Sequence, residues 1–257
     1  MQMIDTHTHL YLPEFDGDRD LVLDRAVSSG VVKLLMPNID LSSLGVMLSA
    51  ADRYKNICLP MSGLHPTSVK NDYRYQLDNL LNRFDEHPFI AVGEIGIDLF
   101  WDKTFIKEQQ EAFRKQVEFA IRRKLPVAIH SRDSFPEVFS VLDEFKGEQI
   151  SGVFHAFSGS MQDAEKALSM GFMLGIGGPV TYKNSKLATI IKETGIETIV
   201  LETDSPYLAP VPFRGKRNES AYIAVINRKV AEIFEITEEK CAELTFRNSC
   251  KLFNICL

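Results

Sequence analysis

The chain has 257 residues, 45% hydrophobic and 25% charged, enough for a full core without a disulfide or structural metal. A formal net charge of −6 excludes a protein that coats long nucleic acid through a basic surface. It leaves open contact with a few phosphates, because bound cations bring their own positive charge. Cys58, Cys241, Cys250 and Cys256 form no CxxC pair and read as reduced thiols. No apolar run approaches the roughly 20 residues of a membrane span and no leader-like segment opens the chain, so a cytoplasmic protein without membrane contact is expected.

In chain order, short apolar runs and helical periodicity predict alternating elements. Strands are expected at Met3–Thr8 and Val31–Met36, then helix Ser42–Ala51, strand Ile57–Gly63, helix Gln76–Phe84 and strand Ile90–Ile95. Helix Thr104–Lys124, strand Val127–His130, helix Phe135–Phe145, strand Gly152–His155 and helix Met161–Met170 follow. Strand Phe172–Ile176, helix Asn184–Thr194 and strand Ile199–Glu202 precede helices Ala221–Phe234 and Thr237–Phe253. Eight strands alternating with helices predict an α/β fold, a (β/α)₈ TIM barrel formed as one domain over residues 1–257 with an extra C-terminal helix; an open doubly wound sheet is the alternative. The Pro- and Gly-bearing stretch 204–218 follows the last strand and reads as a functional loop.

Chemistry gathers at the strand ends. His7 and His9, two apart, share one side of a strand and can grip one metal ion. His130 closes Val127–Ala128–Ile129, His155 closes Gly152–Val153–Phe154, and His65 follows Ser62–Gly63–Leu64. Glu94 and Asp204 occupy matching positions at the fourth and eighth strands, where an unpaired carboxylate is costly to bury. Glu202 can share the face of Asp204, either as a ligand or as a hydrogen-bonding support. His87, before Pro88 in a loop, reads as a surface residue. In a barrel these ends converge on one rim, and four histidines with two carboxylates suit two divalent ions bridged by one carboxylate.

The motifs Asp5–Thr6–His7–Thr8–His9–Leu10, Gly63–Leu64–His65–Pro66 and Gly93–Glu94–Ile95–Gly96–Ile97–Asp98 resemble those of the TatD family of metal-dependent deoxyribonucleases, amidohydrolase-like barrel enzymes. So do Ile129–His130–Ser131–Arg132, His155–Ala156–Phe157–Ser158–Gly159, residues 202–208 and residues 214–219, which spread the resemblance over essentially the full length. It departs at Ser220, where the family often has proline. The resemblance implies that His7, His9 and Asp204 hold a first metal, that Glu94 bridges, and that His130 and His155 complete the second. The ions are expected to be Mg, Mn or Zn.

The expected function is hydrolysis of DNA phosphodiesters, including exonucleolytic attack on a strand end, with Asp204 and Glu94 catalytic. The alternatives are an aminoacyl-tRNA deacylase or small-molecule ester or amide hydrolase on the same site, and a non-catalytic binding protein. His65 is expected to bind a phosphate oxygen or protonate the leaving group; packing as a structural histidine is the alternative. Arg132, Ser158, Arg214 and Arg217 are candidate phosphate contacts, with Ser158 near a helix start. Tyr207 stacks on a base or simply packs. The substrate partner is nucleic acid, and the expected state is monomeric.

Overall fold

The computed structural model describes residues 1–255. Eight parallel strands are present among them: β1 (Met3–Asp5), β2 (Val31–Pro37), β3 (Cys58–Met61), β4 (Val92–Asp98), β5 (Val127–Arg132), β6 (Gly152–Phe154), β7 (Phe172–Ile176) and β8 (Ile199–Leu201). Regular pairing gives the orders β1-β2-β3 and β4-β5-β6-β7-β8. Two seams close these into a barrel. At one, Gly93 N donates to Ser62 O (3.0 Å) and Ile90 N to Pro60 O (3.1 Å). At the other, Thr6 N donates to Leu201 O (3.1 Å), Asp204 N to His7 O (2.9 Å) and His9 N to Ser205 O (2.8 Å).

Side-chain alternation along the strands builds two layers. Ile4, Leu35, Met61, Ala91, Ala128, Val153 and Val200 form an inner cluster, packed by the partly buried Met173. Their neighbours, such as Leu34, Met36, Ile129 and Phe154, face outward into the larger cluster beneath the helices. These are α1 (Arg19–Ser28), α2 (Leu41–Arg53), α3 (Tyr73–Asn82), α4 (Ile106–Arg123), α5 (Phe135–Leu142), α6 (Met161–Ser169), α7 (Leu187–Thr194), α8 (Ile223–Phe234) and α9 (Glu238–Phe253). Helix α9 starts at the expected cap, Thr237 Oγ1 accepting from Lys240 N at 3.2 Å. It brings Phe253 into the inner cluster and thereby closes one end of the barrel.

Several expected boundaries are corrected. Helix α1 has no counterpart in the sequence reading. Its inward Val22, Leu23 and Ala26 are flanked by exposed Leu21 and Val27, which blurs the apolar stripe. β1 ends at Asp5 rather than Thr8, because residues 6–9 bond alternately to the neighbouring strands: Thr8 N, for example, donates to Leu35 O at 3.0 Å. β4 and β5 run further than expected, to Asp98 and Arg132, which pair with each other. Helices α3, α5 and α7 end or start some residues away from the expected limits, short 3₁₀ turns following α3 and α5.

Cys58 and Cys241 are buried free thiols, and Cys256 lies outside the described residues. No helix among the described residues is long and apolar enough to cross a membrane.

Candidate metal centre

Several functional side chains extend the inner layer. His130 lies two residues after Ala128, His155 two after Val153, and Glu202 two after Val200. In β4 an irregularity between Val92 and Ile95 shifts the register, so Ala91 and Glu94 both reach the interior although three residues apart. Bulges commonly re-aim a side chain in this way. Asp204 has φ 56°, a left-handed conformation that Asp tolerates better than most residues and that often marks a functional site.

Glu94 is the hub. Its Oε2 lies 3.1 Å from His7 Nε2 and 3.7 Å from His9 Nε2. Its Oε1 lies 2.8 Å from His130 Nδ1, 3.2 Å from His65 Nε2 and 3.4 Å from His155 Nε2. Asp204 Oδ1 stands 3.6 Å from His9 and 3.9 Å from His7 on the Oε2 side. Thus one carboxylate turns one oxygen to each half of the cluster.

The outer nitrogens of the rings determine what the inner ones present. Tyr11 OH donates to Pro37 O (2.8 Å), so it accepts from His9 Nδ1 (3.2 Å) and leaves His9 Nε2 as a bare lone pair facing the centre. His155 Nδ1 donates to Glu202 Oε1 (3.2 Å), which also accepts from Ala156 N (2.6 Å). His130 Nε2 donates to Asp98 Oδ2 (2.8 Å). His65 has the opposite polarity: its Nδ1 accepts from Thr67 N (3.2 Å), which places the ring proton of the neutral side chain on Nε2, inside the centre.

Electrostatics follow. Burial alone would raise the Glu94 pKa, but the surrounding imidazoles, His65 first, hold it well below the usual carboxylate range. Burial lowers His7 and His65, and brings His9 to about 4. Burial opposes charge on His155 too, yet Glu94 and Glu202 outweigh it and lift the ring to about 10. His130 is raised against burial by Asp98 and Glu94. Burial, with the nearby Glu94 and Glu202 carboxylates, raises Asp204 to about 7. The cluster therefore carries protons that a divalent cation would displace.

The donors fit such a cation. Three groups, His7–His9–Glu94, His7–His155–Asp204 and His65–Glu94–His130, have ligand atoms within 4.8 Å of one another. His7 Nδ1 is buried without a hydrogen-bond partner. Imidazole and carboxylate together suit borderline divalent ions.

The centre opens into a cavity of about 920 Å³ whose walls include Arg132, Ser158, Lys186 and Tyr207. Arg214 and Arg217 do not line it. Arg214 lies over the Tyr182 ring at 4.5 Å, and Arg217 pairs with Asp18 through both guanidinium nitrogens at 2.7 Å. Ser158 lies on the wall, but the adjoining helix start is satisfied by its own capping box, Ser160 with Asp163. His87 lies away from the cavity, against Phe89. Sequence reasoning gave no role to Asp98 or Tyr11. Asp98 was within reach, being two steps of two along β4 from Glu94; Tyr11 depends on Pro37 O, which no local pattern predicts.

The sequence pattern described as TatD related DNase matches residues 4–254. The chain is 34% identical to the uncharacterized metal-dependent hydrolase YabD of Bacillus subtilis strain 168, covering 98% of this chain and 99% of that protein. The crystal structure of YjjV, a TatD homologue of Escherichia coli K12, superposes with a TM-score of 0.92 at 32% identity, covering 99% and 98% of the two chains. The 3'-5' ssDNA/RNA exonuclease TatD of Pectobacterium parmentieri is 28% identical over 98% of this chain and 100% of its own length.

Proposed function

Because the chain belongs to the TatD related DNase family and is a metal-dependent hydrolase, we propose that it cleaves phosphodiester bonds at a single-stranded DNA end using two divalent cations. His7, His9 and Asp204 would hold one cation and His130 and His155 the other, with Glu94 offering an oxygen to each. The supporting feature is the division of Glu94, with Oε2 toward His7 and His9 and Oε1 toward His130 and His155. Mg, Mn and Zn are all compatible with these donors. Bound in such a pair, the cations activate water and neutralise charge on the attacked phosphate.

The chain's own groups supply the rest. Asp204, beside His7 and His9, is placed to take the proton of the attacking water. His65 Nε2–H is the hydrogen-bond donor aimed into the centre, suited to bind a phosphate oxygen. The His9, His130 and His155 rings are held by Tyr11, Asp98 and Glu202, so their inner nitrogens keep their aim. Arg132 and Ser158 on the wall receive non-bridging phosphate oxygens. A nucleic-acid end is favoured over other esters by the activity named for the Pectobacterium relative.

The test is metal-reconstituted protein on an end-labelled single-stranded oligonucleotide, beside an aminoacyl-tRNA. Stepwise, metal-dependent shortening is expected, reduced about a thousandfold or more in Glu94→Ala and His7→Ala. Intact DNA with deacylated tRNA would overturn the nuclease reading while leaving the centre in place.

A further inference from the structure

Beside the centre lies an aromatic surface that the chemistry above does not use. Trp101, the chain's one tryptophan, is 67% exposed, and its neighbour Phe100 is 51% exposed. Both follow β4, and their rings meet edge to face with centroids 5.0 Å apart. Large aromatics left in water on a fixed rim mark binding sites more often than chance exposure does. The Arg132 guanidinium lies 3.8 Å from the Phe100 centroid and 5.3 Å from that of Trp101. Among the described residues, Arg132 makes no ion pair with a carboxylate. Its charge is therefore free to act on a ligand while it packs against both rings.

This surface is held in register with the centre by one side chain. Asp98 Oδ1 accepts from the backbone N of Phe100 (3.0 Å) and of Trp101 (3.1 Å), while its Oδ2 accepts from His130 Nε2 (2.8 Å). The residue that steadies a proposed metal ligand thus also fixes the loop that carries the rings. Trp101 and Arg132 line the same cavity as Glu94, His130 and His155. A planar group seated on the rim would extend from a phosphate at the centre.

We propose that Trp101, Phe100 and Arg132 form a stacking platform for an unpaired nucleobase of a single-stranded nucleic acid whose phosphate enters the centre. This rests on the nuclease reading and adds to it the side chains that hold the unpaired base. The faces of a base in a duplex are covered by its neighbours, so only an unstacked base can lie on such a surface. Every base has a π-face, so the platform selects strandedness rather than sequence.

The solitary tryptophan makes the platform directly readable. Metal-reconstituted protein is titrated with a phosphorothioate-linked thymidine octamer, which resists hydrolysis, and with an abasic strand of the same length. Affinity is followed by anisotropy of an end label and Trp101 by its fluorescence. The thymidine strand should quench Trp101 and the abasic strand should not. Trp101→Ala should weaken binding of the thymidine strand about 5- to 150-fold and remove the preference over the abasic strand. Trp101→Phe should keep most of that preference. Equal quenching by both strands, or a Trp101→Ala protein that binds thymidine as tightly as the parent while ordinary octamer is still cut, overturns the platform and leaves the nuclease reading standing. Neither binding nor cleavage of any strand, with metal bound, overturns both.

Discussion

At the scale of single residues, the centre depends as much on what stands behind each ring as on the rings themselves. Glu202 is fully buried and spends Oε1 on His155 Nδ1 and Ala156 N. It fits only because residue 175 is glycine; a Cβ there would collide with Glu202 Oε2. Glu202→Gln keeps an acceptor for Ala156 N but removes the charge that orients and polarises His155. Metal affinity, measured by titration of the metal-stripped protein, should fall about 10- to 100-fold. An unchanged affinity would mean that His155 is aimed by packing alone. The residues that carry the proposed cations were readable from sequence because each ends an apolar run, and the alternation that puts Ala128 inside also puts His130 there. The polarity of the rings was not readable. It depends on Thr67 N, Pro37 O and Asp98, whose distances to the imidazoles exist only after the strands close.

Among the elements, α4 does more than cover the sheet. Its buried Gln116 accepts from Leu64 N (2.7 Å) and donates to Leu64 O (3.3 Å), fixing the backbone just before His65. Two turns earlier, Gln109 accepts from Asp98 N (2.8 Å) and donates to Asp98 O (3.2 Å). Two side chains on one helix face thus tie down two loops of the site. Gln116→Leu keeps the bulk but strands a buried N–H and C=O, and should destabilise the protein by about 2 kcal/mol or more. The denaturant midpoint should shift with an unchanged slope; a shift under about 0.5 kcal/mol would show that water replaces the lost partner. The expected helix Thr104–Lys124 matches α4 closely because its apolar face is long and regular. Helix α1 was missed because Leu21 and Val27 interrupt its stripe with exposed apolar residues, so the pattern there has no clear buried side.

For the molecule as a whole, the eight apolar runs announced a closed barrel, but the bonds that close it were not legible. The seams rest on backbone bonds outside the regular strands, made at irregular positions such as Ser62 and Ser205. The plug was equally hidden, since nothing local says that Phe253 belongs with Ile4 and Val200. Phe253→Ala should cost about 3–5 kcal/mol, lowering Tm by roughly 6–20 °C in calorimetry. A loss below about 1 kcal/mol would mean that the barrel end is sealed without α9. The seam between β8 and β1 also sets the order of events during synthesis. His7 and His9 leave the ribosome early, whereas Asp204 sits across a joint whose partners Thr8 and Ser205 are 197 residues apart. A nascent chain that has not reached Asp204 therefore offers His7 and His9 without the carboxylate that completes their site. The proposed cation site can be completed only on a finished ring, so the unfinished chain makes no hydrolase.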